Sequence, residues 1–435
     1  MVRVKGQIEH IAGLVEIAMR IKVAVWGLTG LVVINGFLSA HQAQPNQPKP
    51  PRGAPAILWG DLQPGPYSIG FRVIYERDKT RNWLKAEAGS NVAIPDLGRP
   101  IRISIWYPAT LGQERQPMHY GDYYRYAGPE SFRELNDELE KSDRESELKD
   151  FMEITPQGHE ILERLFATPV AAYSNTPVAH GRFPLVLYSG GLGSRGDANV
   201  ELGEFLASHG YVVATVPQLG PSDKELDLGS SPGEVALHVR DLEFALNFLR
   251  TQPYIDNQKL ATIGHSAGGT AALDFAVRHP EVRAVVGLDG SYGFTGGSRM
   301  FRRFPDYAPD RIRAAILDLR RANGVQSATL DLSVLQDMRL SDRYLVTFNK
   351  MFHGDFTEFG TIGLKLSVPL PPNNDGRTRQ TGYEGNQHAY RVVLNFLDTK
   401  LRGKPEGIRH MFSEISQSDG ARIVHVRAAA VTRGH

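Results

Sequence analysis

The stretch "ATIGHSAGG" (261–269) sets Ser266 between glycines at 264 and 268, a G-x-S-x-G pattern with an extra Gly269 behind it. A strand-like run, "KLATIGHS", precedes the serine and a helix-like run, "AGGTAALDFAVRHP", follows. A serine on a tight strand-to-helix turn has its backbone forced into a sparsely populated conformation. Side chains two residues to either side would collide with the packing of helix on strand, so Gly264 and Gly268 fit the demand. Such a turn presents the Ser266 hydroxyl at the C-terminal edge of a sheet, beside the first N–H groups of a helix. That is the placement of a nucleophile; the bland alternative is an ordinary turn.

A serine hydroxyl needs a base to take its proton. In sheets built this way the chain order is serine, acid, histidine. Downstream of Ser266 stand His279, His353, His388, His410, His425 and His435. His353 directly follows the strand-like "RYLVTFNK" (343–350), which brings it to the same sheet edge, and it is the candidate base. His279 ends the helix after the serine, His388 lies inside a helix, and the others are late. His265, beside the serine, reads as a packed or capping residue. Two strand-end carboxylates could orient the base: Asp289 after "AVVGL" and Asp318 in "AAILDL". The residues alone leave both open.

A second glycine motif, Gly191-Leu192-Gly193-Ser194-Arg195-Gly196, is a literal G-x-G-x-x-G after the strand-like "FPLVLYSG". A dinucleotide-binding turn would want an acidic residue at the end of the next strand. That strand, "YVVATVPQ", ends in Val216, Pro217 and Gln218. The alternative is a loop that holds a developing oxyanion. Such a hole takes one N–H from the residue after the nucleophile, Ala267, and one from this loop.

The elements that must position these groups alternate regularly from residue 183: strand, helix ended at Gly210, strand, helix with Pro232 in its first turn, strand, helix ended by Pro280, strand. Alternation of that kind implies crossover units and a mostly parallel sheet with helices on both faces. Before it lie two alternating runs, 68–76 and 99–109, expected as antiparallel neighbours. Residues 112–180, acidic and helix-favouring, read as a helical insertion over the site. Further strands are expected at 311–319, 343–350 and 421–429, and a helix at 384–403.

The 435 residues carry 49 basic and 48 acidic side chains and no cysteine. The balance gives no electrostatic footprint for nucleic acid. The missing cysteines exclude disulfides, thiolate metal sites and a thiol nucleophile. No metal or organic cofactor is implied. From Met19, "MRIKVAVWGLTGLVVINGFLSAHQAQ" reads as a secretory signal peptide ending at Ala40 or Ala43, with Met19 a candidate true start. An uncleaved membrane anchor is the alternative. The expected organisation is a leader over 1–43, a Pro-rich linker over 44–54, one domain over 55–429 and a tail over 430–435. The location expected is secreted or periplasmic.

"PLVLYSGGLGS", "FLASHGYVVATV", "GHSAGG", "VVGLDG" and "MFHGDFTEFG" resemble the secreted platelet-activating-factor acetylhydrolases and their bacterial α/β-hydrolase relatives, over roughly residues 62–110 and 183–402. The resemblance implies an α/β-hydrolase fold and a Ser266–Asp289–His353 triad, since the family's acid sits in an "LD" pair matched by Leu288-Asp289. It also implies that the loop donor is the Leu192 N–H, with Gly191 and Gly193 shaping the loop. The relatives carry His-Gly-Leu-Gly where this chain has Gly190-Gly191-Leu192-Gly193. The activity implied is hydrolysis of carboxylic esters, with short or oxidised acyl groups of phospholipids as the substrate class. A general carboxylesterase, a polyester hydrolase and a peptidase of the same fold are alternatives. The expected partner is a small-molecule or lipid ester. The basic, aromatic segment 292–310 is a candidate for acyl lining through Tyr292, Phe294, Phe301 and Phe304, or for membrane-surface contact; packing is the plainer reading.

Overall fold

The computed structural model describes residues 57–83, 98–112, 116–195, 198–222, 225–229, 231–322, 329–370, 376–418 and 420–429. The expected leader, linker and tail lie outside them. The described residues belong to a unit spanning Pro48–His435.

Period-two alternation sorts the strand side chains onto two faces. Leu185 and Leu187 join one apolar cluster while Val186 and Tyr188 join the other. Val212 and Ala214 are divided from Val213 in the same way. A strand buried on both faces must be covered on both, and helices supply the cover.

In chain order the elements are β1 (Ser68–Asp78), β2 (Arg99–Ala109), α1 (Arg133–Ile154), α2 (Gly158–Phe166), β3 (Ala172–Ser174), β4 (Phe183–Ser189), α3 (Val200–Ser208) and β5 (Val212–Thr215). There follow α4 (Pro232–Arg250), β6 (Ile255–His265), α5 (Ala267–Arg278), β7 (Val282–Leu288), α6 (Thr295–Phe301), β8 (Ala315–Arg321) and β9 (Arg343–Phe348). The chain closes with α7 (Phe359–Lys365), α8 (Arg379–Arg402), α9 (Glu406–Gln417) and β10 (Ala421–Val426). The sheet has ten strands in the order β10-β9-β8-β7-β6-β4-β5-β2-β1-β3. Pairing is parallel from β5 through β9. β1–β2 is antiparallel, with Ser68 opposite Ala109, and so are β2–β5 and β9–β10. One apolar cluster holds residues of α3, α8 and α9, and the other those of α4, α5 and α6. Among the described residues no helix is long and apolar enough to cross a membrane.

The segment 112–180 is not wholly helical. It carries α1 and α2, then returns to the sheet as β3, parallel to β1. The short run Ala172–Ser174 has too few residues for an alternating pattern to register in the sequence. Polar contacts hold this segment down. Buried Glu204 of α3 accepts from Trp59 Nε1, the Tyr123 hydroxyl and the Ala171 and Ala172 amides at 2.8–3.1 Å.

On the other face, Arg99 and Asp241 form a buried pair. The guanidinium donates to both carboxylate oxygens at 2.6 and 2.8 Å, and to the Leu219 and Gly220 carbonyls at 2.6 and 2.7 Å. Asp241 also pairs with Arg81 at 2.7 Å, so it is the loss of the Asp241 charge that would leave the buried Arg99 without a carboxylate. Asp241→Asn is expected to lower the unfolding free energy by about 3 kcal/mol, read from urea denaturation.

Candidate active site

The backbone at Ser266 has φ 53° and ψ −122°, a conformation an L residue holds only when its surroundings insist. The insistence comes from close packing of β6 and α5. A Cβ on Gly264 would stand 2.0 Å from the Gly268 carbonyl oxygen, and one on Gly268 would stand 2.1 Å from that of Ser189. Neither position admits a side chain. The Ser266 amide donates to Leu288 O at 3.1 Å, and Ser266 O accepts from Ser291 N at 2.8 Å. These bonds tie the turn to the end of β7.

Asp289 lies directly after β7, fully buried, at φ 47°. His353 Nδ1 donates to Asp289 Oδ2 at 2.6 Å. The other carboxylate oxygen accepts from Arg321 N at 3.1 Å, and the Arg321 guanidinium lies 3.0 Å from Oδ2. Asp318, the other carboxylate left open by pattern, sits one strand away with its side chain turned elsewhere. It accepts from the Tyr292 hydroxyl at 2.7 Å and pairs with Arg320. The structure thus brings Asp289, not Asp318, to His353. Among the described residues no hydrogen bond joins Ser266 Oγ to His353; in unliganded sites such bonds are often long.

His265 is buried and packs against His353 with the rings tilted by 31° and their centroids 4.5 Å apart. Its Nε2 donates to the His353 carbonyl at 3.2 Å. Burial, helped by the neighbouring His353, pushes its pKa down to about 3, so it remains neutral. It serves as a shelf for the His353 loop. Asp355 fixes the loop from below by accepting from Phe352 N at 2.7 Å. Of the other histidines, His279 pairs with Glu243 and Glu281, His388 with Glu414, and His425 stacks on Tyr344; His410 is exposed, and His435 lies outside the described residues.

The loop after β4 arches over the serine. A Cβ on Gly191 would lie 3.3 Å from Ser266 Cβ and 3.2 Å from His265 Nδ1. Gly193 has φ 71°. Among the described residues the Leu192 and Ala267 amides have no backbone acceptor. The loop is braced from behind, where Gln218 Nε2 donates to Gly190 O at 2.7 Å and Ser189 Oγ meets His238 Nε2 at 2.9 Å. An oxyanion formed between the two amides would meet preset donors, worth on the order of 3 kcal/mol each.

Two residues near the site escaped sequence reasoning. Arg195, one of the unassigned positions of G-x-G-x-x-G, extends from the loop into the insertion. It donates to the Tyr120 hydroxyl at 3.0 Å, bonds the Tyr124 hydroxyl, and faces Glu147 and Glu358 at 3.5 and 3.8 Å. Glu358, within the quoted "MFHGDFTEFG", is buried and accepts from Tyr120 at 3.0 Å. A lone Arg and Glu in polar loops carry no spacing signal. In the segment 292–310, Tyr292, Phe301 and Phe304 are core residues, and Phe294 is half-buried beneath Arg321, the residue that bonds Asp289. The segment's exposed charges are of both signs, with Arg299, Arg302 and Arg303 beside Asp306 and Asp310, and Arg302 is paired with Asp337 at 2.6 Å.

Burial raises Glu358 to about 7 against the opposing pull of Arg195. A carboxyl raised on folding keeps a proton the unfolded chain would lose. Its contribution is present below its ordinary value and is lost as pH rises through 7. Depressed histidines, His238 at about 4 and His265, act oppositely, but only below their ordinary value of 6.5. Melting temperature is therefore expected to fall between pH 6.5 and 8, and Glu358→Gln to lessen the fall; an unchanged slope would contradict the assignment.

Comparison with known proteins agrees with this architecture. Residues 153–317 match the chlorophyllase family model. A segment of 93 residues is 31% identical to cutinase 2 of Thermobifida cellulosilytica, covering 20% of this chain and 32% of that one. A segment of 165 residues is 26% identical to the platelet-activating factor acetylhydrolase of Canis lupus familiaris, covering 26% and 37%. The chain thus spans about a third of the length of these curated relatives. A solved ferulic acid esterase from Streptomyces cinnamoneus superposes with a TM-score of 0.55 at 18% identity, over 82% of this chain and 96% of that one. The fold is of the α/β-hydrolase type, shared with that esterase, and within it residues 153–317 match the chlorophyllase family model and shorter segments are similar to cutinases and to a platelet-activating factor acetylhydrolase.

Proposed function

We propose that this chain is a serine hydrolase of carboxylic esters. The observation that carries the reading is the strained Ser266 turn at the same sheet edge as the 2.6 Å Asp289–His353 bond. Ser266 Oγ attacks the ester carbonyl while His353 Nε2 takes its proton. The carbonyl oxygen becomes an anion held by the Leu192 and Ala267 amides. Collapse expels the alcohol, which takes the proton back from His353, and leaves an acyl group on Ser266. Water, deprotonated by His353, then releases the acid. Asp289 fixes the imidazole so that Nε2 faces the serine, and offsets the charge it acquires.

Esters are favoured over amides because the similar segments belong to cutinases and to an acetylhydrolase. Within esters, a short or oxidised acyl chain on a phospholipid has the acetylhydrolase similarity behind it, and a polyester or general carboxylester has the cutinase similarity. Export through the apolar segment that begins at Met19 is part of the same reading.

The test is a series of chromogenic acyl esters from acetyl to palmitoyl. Turnover is expected to peak at acetyl to butyryl and to vanish in Ser266→Ala with folding unchanged. A peak at long chains would indicate a lipase, and turnover that survives Ser266→Ala would overturn the mechanism. In the same assay Asp289→Ala is expected to lower kcat by about 10⁴-fold, as loss of the orienting acid does elsewhere. Asp318→Ala should instead act on stability, through Tyr292 and Arg320. The reverse pattern would reassign the acid.

A further inference from the structure

A cavity of about 530 Å³ opens beside the loop after β4. Leu192, Gly193, Ser194 and His265 form its near wall, one residue from Ser266. Phe151 and Ile154 of α1 and Phe359 and Ile362 of α7 give it an apolar side.

The remaining wall is polar in an unusual way. Tyr188, Asn199 and Glu358 all line the cavity and are all more than nine-tenths buried. The Tyr188 hydroxyl, Asn199 Nδ2 and Glu358 Oε2 make no hydrogen bond of normal geometry, although Tyr188 and Asn199 lie near enough to each other to interact. Each such group costs on the order of 1–3 kcal/mol. Three around one cavity, next to a nucleophile, point to a ligand that satisfies them. From α1, Asp143, Glu147 and Asp150 add negative charge to the rim. Among the described lining residues the cation is Arg195, which is engaged by Tyr120, Tyr124 and Glu147.

These features select among ligands. A hydrocarbon chain would leave the three polar atoms unsatisfied. A phosphate or carboxylate would meet like charge on α1. Hydroxyl groups both donate and accept, so they can serve carboxylates, a phenol and an amide NH₂ together. Their carbon skeleton can rest on Phe151 and Phe359.

We propose that this cavity binds a neutral, polyhydroxylated portion of the ester, of the glycerol or sugar kind, beside the scissile carbonyl. The assignment rests on the reading of Ser266 as the nucleophile. It makes Tyr188, Asn199 and Glu358 specificity residues, and it disfavours an anionic phospholipid headgroup in this position.

The experiment compares kcat/KM for the butyrate esters of ethanol, glycerol, glucose, choline and glycerol phosphate, using the full chain, Tyr188→Phe and Ser266→Ala. The glycerol and glucose esters are expected to exceed ethyl butyrate by about tenfold, chiefly through KM. Tyr188→Phe, which removes only that hydroxyl and should fold normally by circular dichroism, is expected to cut that ratio about fivefold. Equal rates for ethyl and polyol esters, or a ratio unmoved by Tyr188→Phe, would overturn the assignment. A preference for the choline ester would assign the cavity to cations instead, and one for the glycerol phosphate ester to anions; either overturns it. Turnover that persists in Ser266→Ala, or none that depends on Ser266, overturns the parent reading. Ser266-dependent turnover without polyol preference overturns the cavity assignment alone.

Discussion

Two backbones that touch set the terms for the rest of the molecule. Because Gly264 and Gly268 carry no side chain, α5 can spring from β6 with carbonyl oxygens lying where Cβ atoms would otherwise be. That closeness bends Ser266 into its strained conformation and turns its hydroxyl outward. It also brings the Ser266 amide and carbonyl within reach of Leu288 and Ser291, so the serine turn and the end of β7 are fastened together. Asp289 therefore has one place to be, and His353 is held by what Asp289 offers. Strain at the turn is tolerable because a parallel sheet, buried on both faces, surrounds it.

Much of this was legible in the sequence because close packing leaves its mark in residue type. Glycine at 264 and 268 is a local signature, and so are the alternating runs that became β1 and β2 and the apolar runs that became β4, β6 and β7. The proposed base was legible by position, since His353 alone among the later histidines follows a strand directly. The proposed acid was not. Asp289 and Asp318 each occur at or near the end of a buried strand, and what separates them is side-chain direction. Asp318 is taken by Tyr292 and Arg320 inside the core, a contact between elements that no spacing announces. Strand β3 was missed because three residues cannot show a period. The roles of Arg195 and Glu358 were missed because long-range ion pairing has no sequence period at all.

The interior near the site is more polar than a hydrophobic core needs. Glu201, Glu204 and Glu358 are all buried on the α3 and α7 side. Glu204 is satisfied four times over, by residues from before β1 and from the insertion, and acts as a tether. Glu201 receives Thr361 and Gln387 and joins α3 to α7 and α8. Such networks specify one arrangement, because a shifted register would leave buried polar groups without partners. Glu201 and Glu358 each keep one oxygen bonded and one not, and of the two Glu358 is the one on the cavity wall.

Arg195 ends on a different kind of consequence. Its backbone belongs to the loop that covers Ser266, its guanidinium reaches Tyr120, Tyr124 and Glu147 of the insertion, and its far side faces Glu358, five residues beyond His353. Three segments remote in the chain share one cation. The insertion is therefore no interchangeable module. A graft from a relative would have to bring its own partner for this cation, or the loop over the serine would lose its brace, so insertion and reaction machinery must change together in descent.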